Sequence, residues 1–175
     1  MHVLQLLQLL LVLGFALLSQ ARVSTEFASH AVGFFEIKDF LVSDVVYTEV
    51  SNRRRQTSNH TLSFHFADPN ANSSISCGDS WLQDAQGNHF PRNYVYCAAP
   101  TTSFSIWKFT QFTTGANFSL ALAHYFSDPS HYPPPYDYVE YFADLALTPA
   151  CSIARTSSRC IARGPIAATI NRISN

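Results

Sequence analysis

Ser73-Ser-Ile-Ser-Cys77 and Asn93-Tyr-Val-Tyr-Cys97 enclose a polar middle punctuated by Gly78-Asp79, Gln86-Gly87-Asn88 and Pro91. Each end is short, β-prone and carries one cysteine, and such residues fit a pleated surface. The turn residues between them break any continuous element. The pattern predicts two strands that face each other across a long loop and are stapled by a Cys77–Cys97 disulfide. An oxidised, mostly β protein follows.

The start of the chain agrees with an oxidising compartment. Leu4–Leu18 is apolar apart from Gln5 and Gln8, too short for a stable membrane span. Ser19-Gln20-Ala21 supplies the small residues that a signal peptidase accepts. Residues 1–21 are therefore read as a signal peptide and 22–175 as a single secreted β domain, long enough for a core of its own. No later apolar run is long enough to cross a membrane.

The formal net charge of −1 argues against a nucleic-acid partner. Its placement is uneven. Phe109–Ala154 contains Asp128, Asp137, Glu140 and Asp144 but no Lys or Arg, whereas Arg155, Arg159, Arg163 and Arg172 follow with no acid. The two segments are positioned to pair in the fold. Sparse charge and dense aromatics favour a compact antiparallel β-barrel or sandwich over a helical bundle.

Along the chain, Arg22–Ser29 reads as a leader and Val32–Phe40 as a first strand, with Phe35 and Ile37 on one face. Leu41–Val50 continues β-rich, and Asn52–Asn59 is a polar connection. Thr61-Leu-Ser-Phe-His-Phe66 alternates with Leu62, Phe64 and Phe66 on one face. Asp68–Ser74 is a turn cluster. Ser103–Phe109, Phe118–Phe126 and Tyr138–Leu147 read as strands. Between the last two, Pro133–Pro135 predict an extended polyproline II loop. Gly164-Pro165 precedes a last strand, Ile166–Ile173.

Four cysteines allow three pairings. Sequence order favours Cys77–Cys97 and Cys151–Cys160, each closing a local loop. Neither pair has the tight spacing of a zinc site, so no metal ligand is assigned. Asn59-His-Thr61, Asn72-Ser-Ser74 and Asn117-Phe-Ser119 are N-glycosylation sequons. Asn59 and Asn72 are expected in loops, and Asn117 at the start of a strand.

The sequence contains no Gly-x-Ser-x-Gly, no His-Glu-x-x-His and no Gly-rich phosphate loop. No catalytic residue and no cofactor is assigned, and the chain is read as a non-enzyme. Among the histidines, His65 alternates away from Phe64 and Phe66. His124 shares parity with Phe118, Leu120 and Leu122, so it is a polar residue on an apolar face: a base, or more simply a hydrogen-bonded core histidine. Glu140 and Asp144 share a face opposite Asp137 and form the nearest thing to a glycosidase acid pair. Arg53-Arg54-Arg55 is a basic run in a polar loop. The proline-rich stretch His131–Tyr141 offers Tyr132, Tyr136, Tyr138 and Tyr141, of which Tyr132, Tyr136 and Tyr138 are taken as contact residues for a partner; the alternative is that these rings cover the core from one end.

The order of these features resembles the Alternaria major-allergen family of fungal secreted proteins. Phe35-Glu-Ile-Lys-Asp-Phe40 is similar to that family's aromatic-x-Ile-x-x-Phe opening. Leu62-Ser-Phe64 precedes Ser76-Cys77 as its second strand precedes its first paired cysteine. Tyr94-Val-Tyr-Cys97 resembles its aromatic-rich second cysteine, and Leu145–Cys151 with Arg159-Cys160 its C-terminal pair. The resemblance implies a compact β-barrel with both local disulfides, fungal secretion and no known active site. It also implies an allergen-like or effector-like role at a host surface, altering plant defence. Many members carry an N-terminal cysteine that links two chains. None lies between Arg22 and Cys77 here, so a covalent dimer is not expected, while a non-covalent one stays open. The Pro133–Pro135 run is unlike the usual family loop. The expected function is that of a secreted interaction protein binding a host extracellular or cell-wall protein. A small-ligand carrier with an aromatic-lined barrel is second, and a wall-active hydrolase third.

Overall fold

A computed structural model describes residues 36–99 and 101–175. The signal peptide at 1–21, the leader after it and the expected strand start at Val32–Phe35 lie outside the described residues. In chain order the strands are β1 (Phe40–Asn52), β2 (Thr57–Asp68), β3 (Ser73–Asp84), β4 (Gly87–Asn88), β5 (Val95–Tyr96) and β6 (Phe104–Thr114). Then come β7 (Asn117–Ser127), β8 (Tyr138–Leu147), β9 (Ala150–Ile153), β10 (Ser157–Ala162), β11 (Ile166–Ala168) and β12 (Ile170–Ser174). No helix occurs among the described residues, so none there is long and apolar enough to cross a membrane.

The expected all-β, antiparallel architecture is present as two open sheets. One has the order β4-β3-β2-β1-β10-β9, with β11 also paired to β1, and the other the order β12-β8-β7-β6-β5. Alternation in β2 buries Leu62, Phe64 and Phe66 as read from the sequence. β1 changes parity along its length. Phe40 and Val42 are buried, and so are Val45 and Tyr47. A strict period of two would send one pair to solvent. A register shift between Ser43 and Val46, with Asp44 at φ 50°, inserts the extra residue that turns both pairs inward. Aspartate tolerates that left-handed backbone better than most residues.

The two inner faces meet in an aromatic core. Phe64 packs edge-on against Trp107 with ring centroids 5.5 Å apart, and Trp81 against Phe109 at 5.2 Å. Tyr47 lies under the β6–β7 turn, where only glycine fits: a Cβ on Gly115 would sit 2.0 Å from Tyr47 Cε1.

Both disulfides pair as sequence order suggested, Cys77 with Cys97 and Cys151 with Cys160. The picture around the first is corrected. β3 and β5 do not pair; they belong to different sheets. Cys77–Cys97 therefore ties one sheet to the other. β3 also runs on through the polar middle to Asp84, because Trp81 turns inward and holds it to the core. Cys151 and Cys160 are direct cross-strand partners in the β9–β10 hairpin.

Three other expectations change. Lys38 and Asp39 are not in a strand. The last strand divides at Thr169, so β11 stays with β1 while β12 crosses to pair with β8. The loop between β7 and β8 folds back instead of running extended: Tyr136 N–H donates to the Pro133 carbonyl at 3.0 Å.

Candidate functional site

The most chemically organised place in the molecule lies where β2, β6 and β7 end together. His124 and Ser105 face each other across the β6–β7 ladder and are both buried. Ser103, two residues before Ser105, keeps the same parity and lies just beyond the end of β6. Asp68 reaches the same place from the other sheet as the last residue of β2. Its Oδ1 accepts the backbone N–H and the side-chain amide of Asn70, each at 2.8 Å. Its Oδ2 lies 2.8 Å from His124 Nδ1. His124 Nε2 lies 2.9 Å from Ser103 Oγ.

A carboxylate only accepts, so Nδ1 carries the hydrogen toward Asp68. In that tautomer Nε2 is an acceptor facing the serine hydroxyl. Asp68 and His124 are 0 % and 2 % exposed. Ser103 is exposed and lines a cavity of about 370 Å³ together with Ser73, Phe126, Asp128, Ser130 and Tyr138.

The far wall of the cavity is the β7–β8 loop, tied by a second buried carboxylate. Asp128 Oδ2 accepts His131 Nδ1–H at 2.6 Å and the Tyr141 hydroxyl at 3.3 Å. The Asp128 carbonyl accepts the N–H groups of His131 and Tyr132. Burial, with Tyr132 and Asp128 adding to it, holds the Tyr141 phenol well above its ordinary range, so it stays a donor.

Next to the cavity, outward-facing rings run across four strands. Tyr96 and Phe104 meet edge-on at 5.4 Å, Phe104 and Tyr125 stack at 5.0 Å, and Tyr125 and Tyr138 stack at 5.6 Å. Tyr96 and Tyr138 are 49 % and 43 % exposed, and Tyr136, two residues before Tyr138 in the chain, 67 %. Further along the same face Arg172 stacks on Phe142 at 3.7 Å and Lys108 sits over Tyr94 at 4.5 Å.

Tyr136 and Tyr138 are exposed. Tyr132 is half-buried and packs against the core. Arg53, Arg54 and Arg55 are exposed in the β1–β2 turn, where Arg53 donates to the Arg155 carbonyl at 2.9 Å. Arg172 of the basic tail meets the acidic segment through β12 and β8 and partly offsets the desolvation that raises Glu140. Glu140 and Asp144 do share the outer face. Four residues along a strand set them roughly 13 Å apart, wider than the about 5–9.5 Å of a glycosidase pair, and Asp144 is engaged by Asn171 at 2.9 Å. The three sequon asparagines are exposed. Asn59 lies within β2 rather than in a loop, Asn72 is in the β2–β3 turn, and Asn117 opens β7. Among the described residues no cluster of three or more His, Cys, Asp or Glu is arranged to hold a metal ion.

His124 was legible as an odd residue on an apolar face; its partners were not. Asp68 reads as the first residue of a turn cluster, and Ser103 as one serine among several. Comparison with protein-family models, curated proteins and solved structures gives no match.

Proposed function

We propose that this chain works outside the cell as an interaction protein, of the allergen-like or effector-like kind its cysteine order and strand order resemble, and that it binds a host or cell-wall protein through its aromatic face. One observation carries the reading: the line Tyr96–Phe104–Tyr125–Tyr138 across β5–β8, with Tyr136 exposed two residues before Tyr138. Rings stacked on one another lose little freedom on binding, and tyrosine combines apolar area with a polar tip, as interface anchors do. Two disulfides suit an oxidising location. The space between the sheets is filled by Trp107, Tyr47, Tyr141 and Phe residues, which favours surface binding over a ligand carried inside.

The test is a Tyr136→Ala/Tyr138→Ala double variant, with its fold checked by circular dichroism. The immobilised protein is offered extracellular and wall-protein fractions of the host at low and high salt. The expected result is a protein retained by the wild type and lost by the variant. Equal retention by the folded variant overturns the assignment to this face.

A further inference from the structure

We propose that Ser103, His124 and Asp68 form an acyl-transfer site that cleaves small neutral carboxylic esters, in addition to any binding role of the chain. Three features set this arrangement apart from an ordinary buried histidine. First, the contacts form one directional relay, Ser103 Oγ to His124 Nε2 at 2.9 Å and His124 Nδ1 to Asp68 Oδ2 at 2.8 Å. That is the nucleophile, base and orienting group of a serine hydrolase in the tautomer the reaction needs. Second, the carboxylate is fixed before any substrate arrives: Asp68 is fully buried and its other oxygen is held twice by Asn70. Third, burial changes along the relay. The orienting group and the base are shielded, while the serine is exposed at the cavity wall. A clasp that only joins the sheets has no need of a cavity beside its last member.

The cavity gives the substrate class. About 370 Å³ admits a short acyl group and part of its alcohol. No Lys or Arg lines it, and Asp128 does, so anionic acyl groups are disfavoured. Ser73 and Ser130 line the same space and can turn their hydroxyls into it as donors.

The chemistry balances with water as the sole co-reactant. Ser103 Oγ attacks the ester carbonyl carbon while its proton passes to His124 Nε2. The carbonyl π bond reforms as the alcohol leaves with that proton, giving an acyl-serine. Water then attacks the acyl carbon and gives a proton to Nε2. The carboxylic acid departs, and Ser103 recovers its hydrogen. Asp68 acts as a positioning residue throughout.

The experiment uses the full secreted chain with both disulfides intact. A fluorophosphonate probe is expected to label it, with peptide mapping placing the adduct on Ser103. p-Nitrophenyl acetate hydrolysis is expected to fall by roughly 100-fold or more in Ser103→Ala, a change at an exposed position that leaves the core untouched. Asp68→Asn, corrected for folded fraction by near-ultraviolet circular dichroism, is expected to lower kcat with KM unchanged; a purely structural role would leave the rate per folded molecule as it was. Absence of a Ser103 adduct on folded wild-type protein overturns the proposal. So does ester hydrolysis that survives in Ser103→Ala.

Discussion

Removing the disulfide between the sheets, as Cys77→Ala/Cys97→Ala, is expected to cost about 3 kcal/mol. The two cysteines are 20 residues apart in sequence, and the chain-entropy model gives about 3 kcal/mol for closing a loop of that length. The structure says which freedom is regained. β5 has two strand residues and pairs only with β6, so the segment between β4 and β6 would be held by Phe90 packing on Phe109 and Phe112, and by the Phe109 N–H to Pro91 carbonyl bond. The second bridge, Cys151–Cys160, closes a loop of 9 and joins residues already opposite each other in a hairpin, for about 2.5 kcal/mol. Against a typical total of about 5–15 kcal/mol, the first loss lowers the melting temperature by roughly 6–12 °C. Urea unfolding of the wild type and of the two double-alanine variants measures both. Two results would refute the argument: stability unchanged within about 0.5 kcal/mol without Cys77–Cys97, or a larger loss on removing Cys151–Cys160.

Gly115→Ala should destabilise by about 1–3 kcal/mol in urea unfolding, since the added Cβ meets the buried Tyr47 ring and the turn must move. Burial lowers the pKa of His60 below its ordinary 6.5, with Glu49 and Gln83 offsetting part of the effect. The unfolded chain then takes up that proton first as pH falls, so the stability His60 confers is complete above the ordinary histidine range and lost below it. The difference in unfolding free energy between wild type and His60→Gln should shrink from pH 7.5 to 5.5. Expressed through a secretory pathway, the chain should carry N-glycans at the exposed Asn59, Asn72 and Asn117, read by glycopeptide mapping.

How far the molecule can be read from its residues depends on the range of the interaction that decides each feature. β8 matches its expected span, Tyr138–Leu147, because period-two alternation is a local property. The cysteine partners also follow from order, since short loops close most easily. Sheet membership does not. Nothing near Thr169 announces that the chain changes sheets there, and the Asp44 bulge shows only as a slip in parity between Val42 and Val45. The Asp68–His124–Ser103 relay spans sequence separations of 56 and 21 residues. A motif search for a nucleophile looks for a strained local turn, and this serine has none. Its reactivity would come from a base on the neighbouring strand and a carboxylate from the opposite sheet, which only the folded pairing brings together.

The aromatic face and the cavity are one continuous surface, and this gives their tests a common logic. Phe104 of the ring line follows Ser103 directly in sequence, and Tyr138 both closes the line and lines the cavity. The loop carrying Tyr136 and Tyr138 is fixed to the core by Asp128, through His131 and Tyr141. A partner lying along the rings would thus reach the serine without any loop movement. Single variants should separate along that line. Tyr136→Ala, outside the cavity, should weaken partner binding and leave p-nitrophenyl acetate turnover intact. Ser103→Ala should do the reverse. Tyr138→Ala should lower both, because its ring belongs to both surfaces. If Tyr138→Ala reduced only one of the two while the protein stayed folded, the surfaces would be functionally independent despite their contact, and a shared substrate lying across them would be excluded.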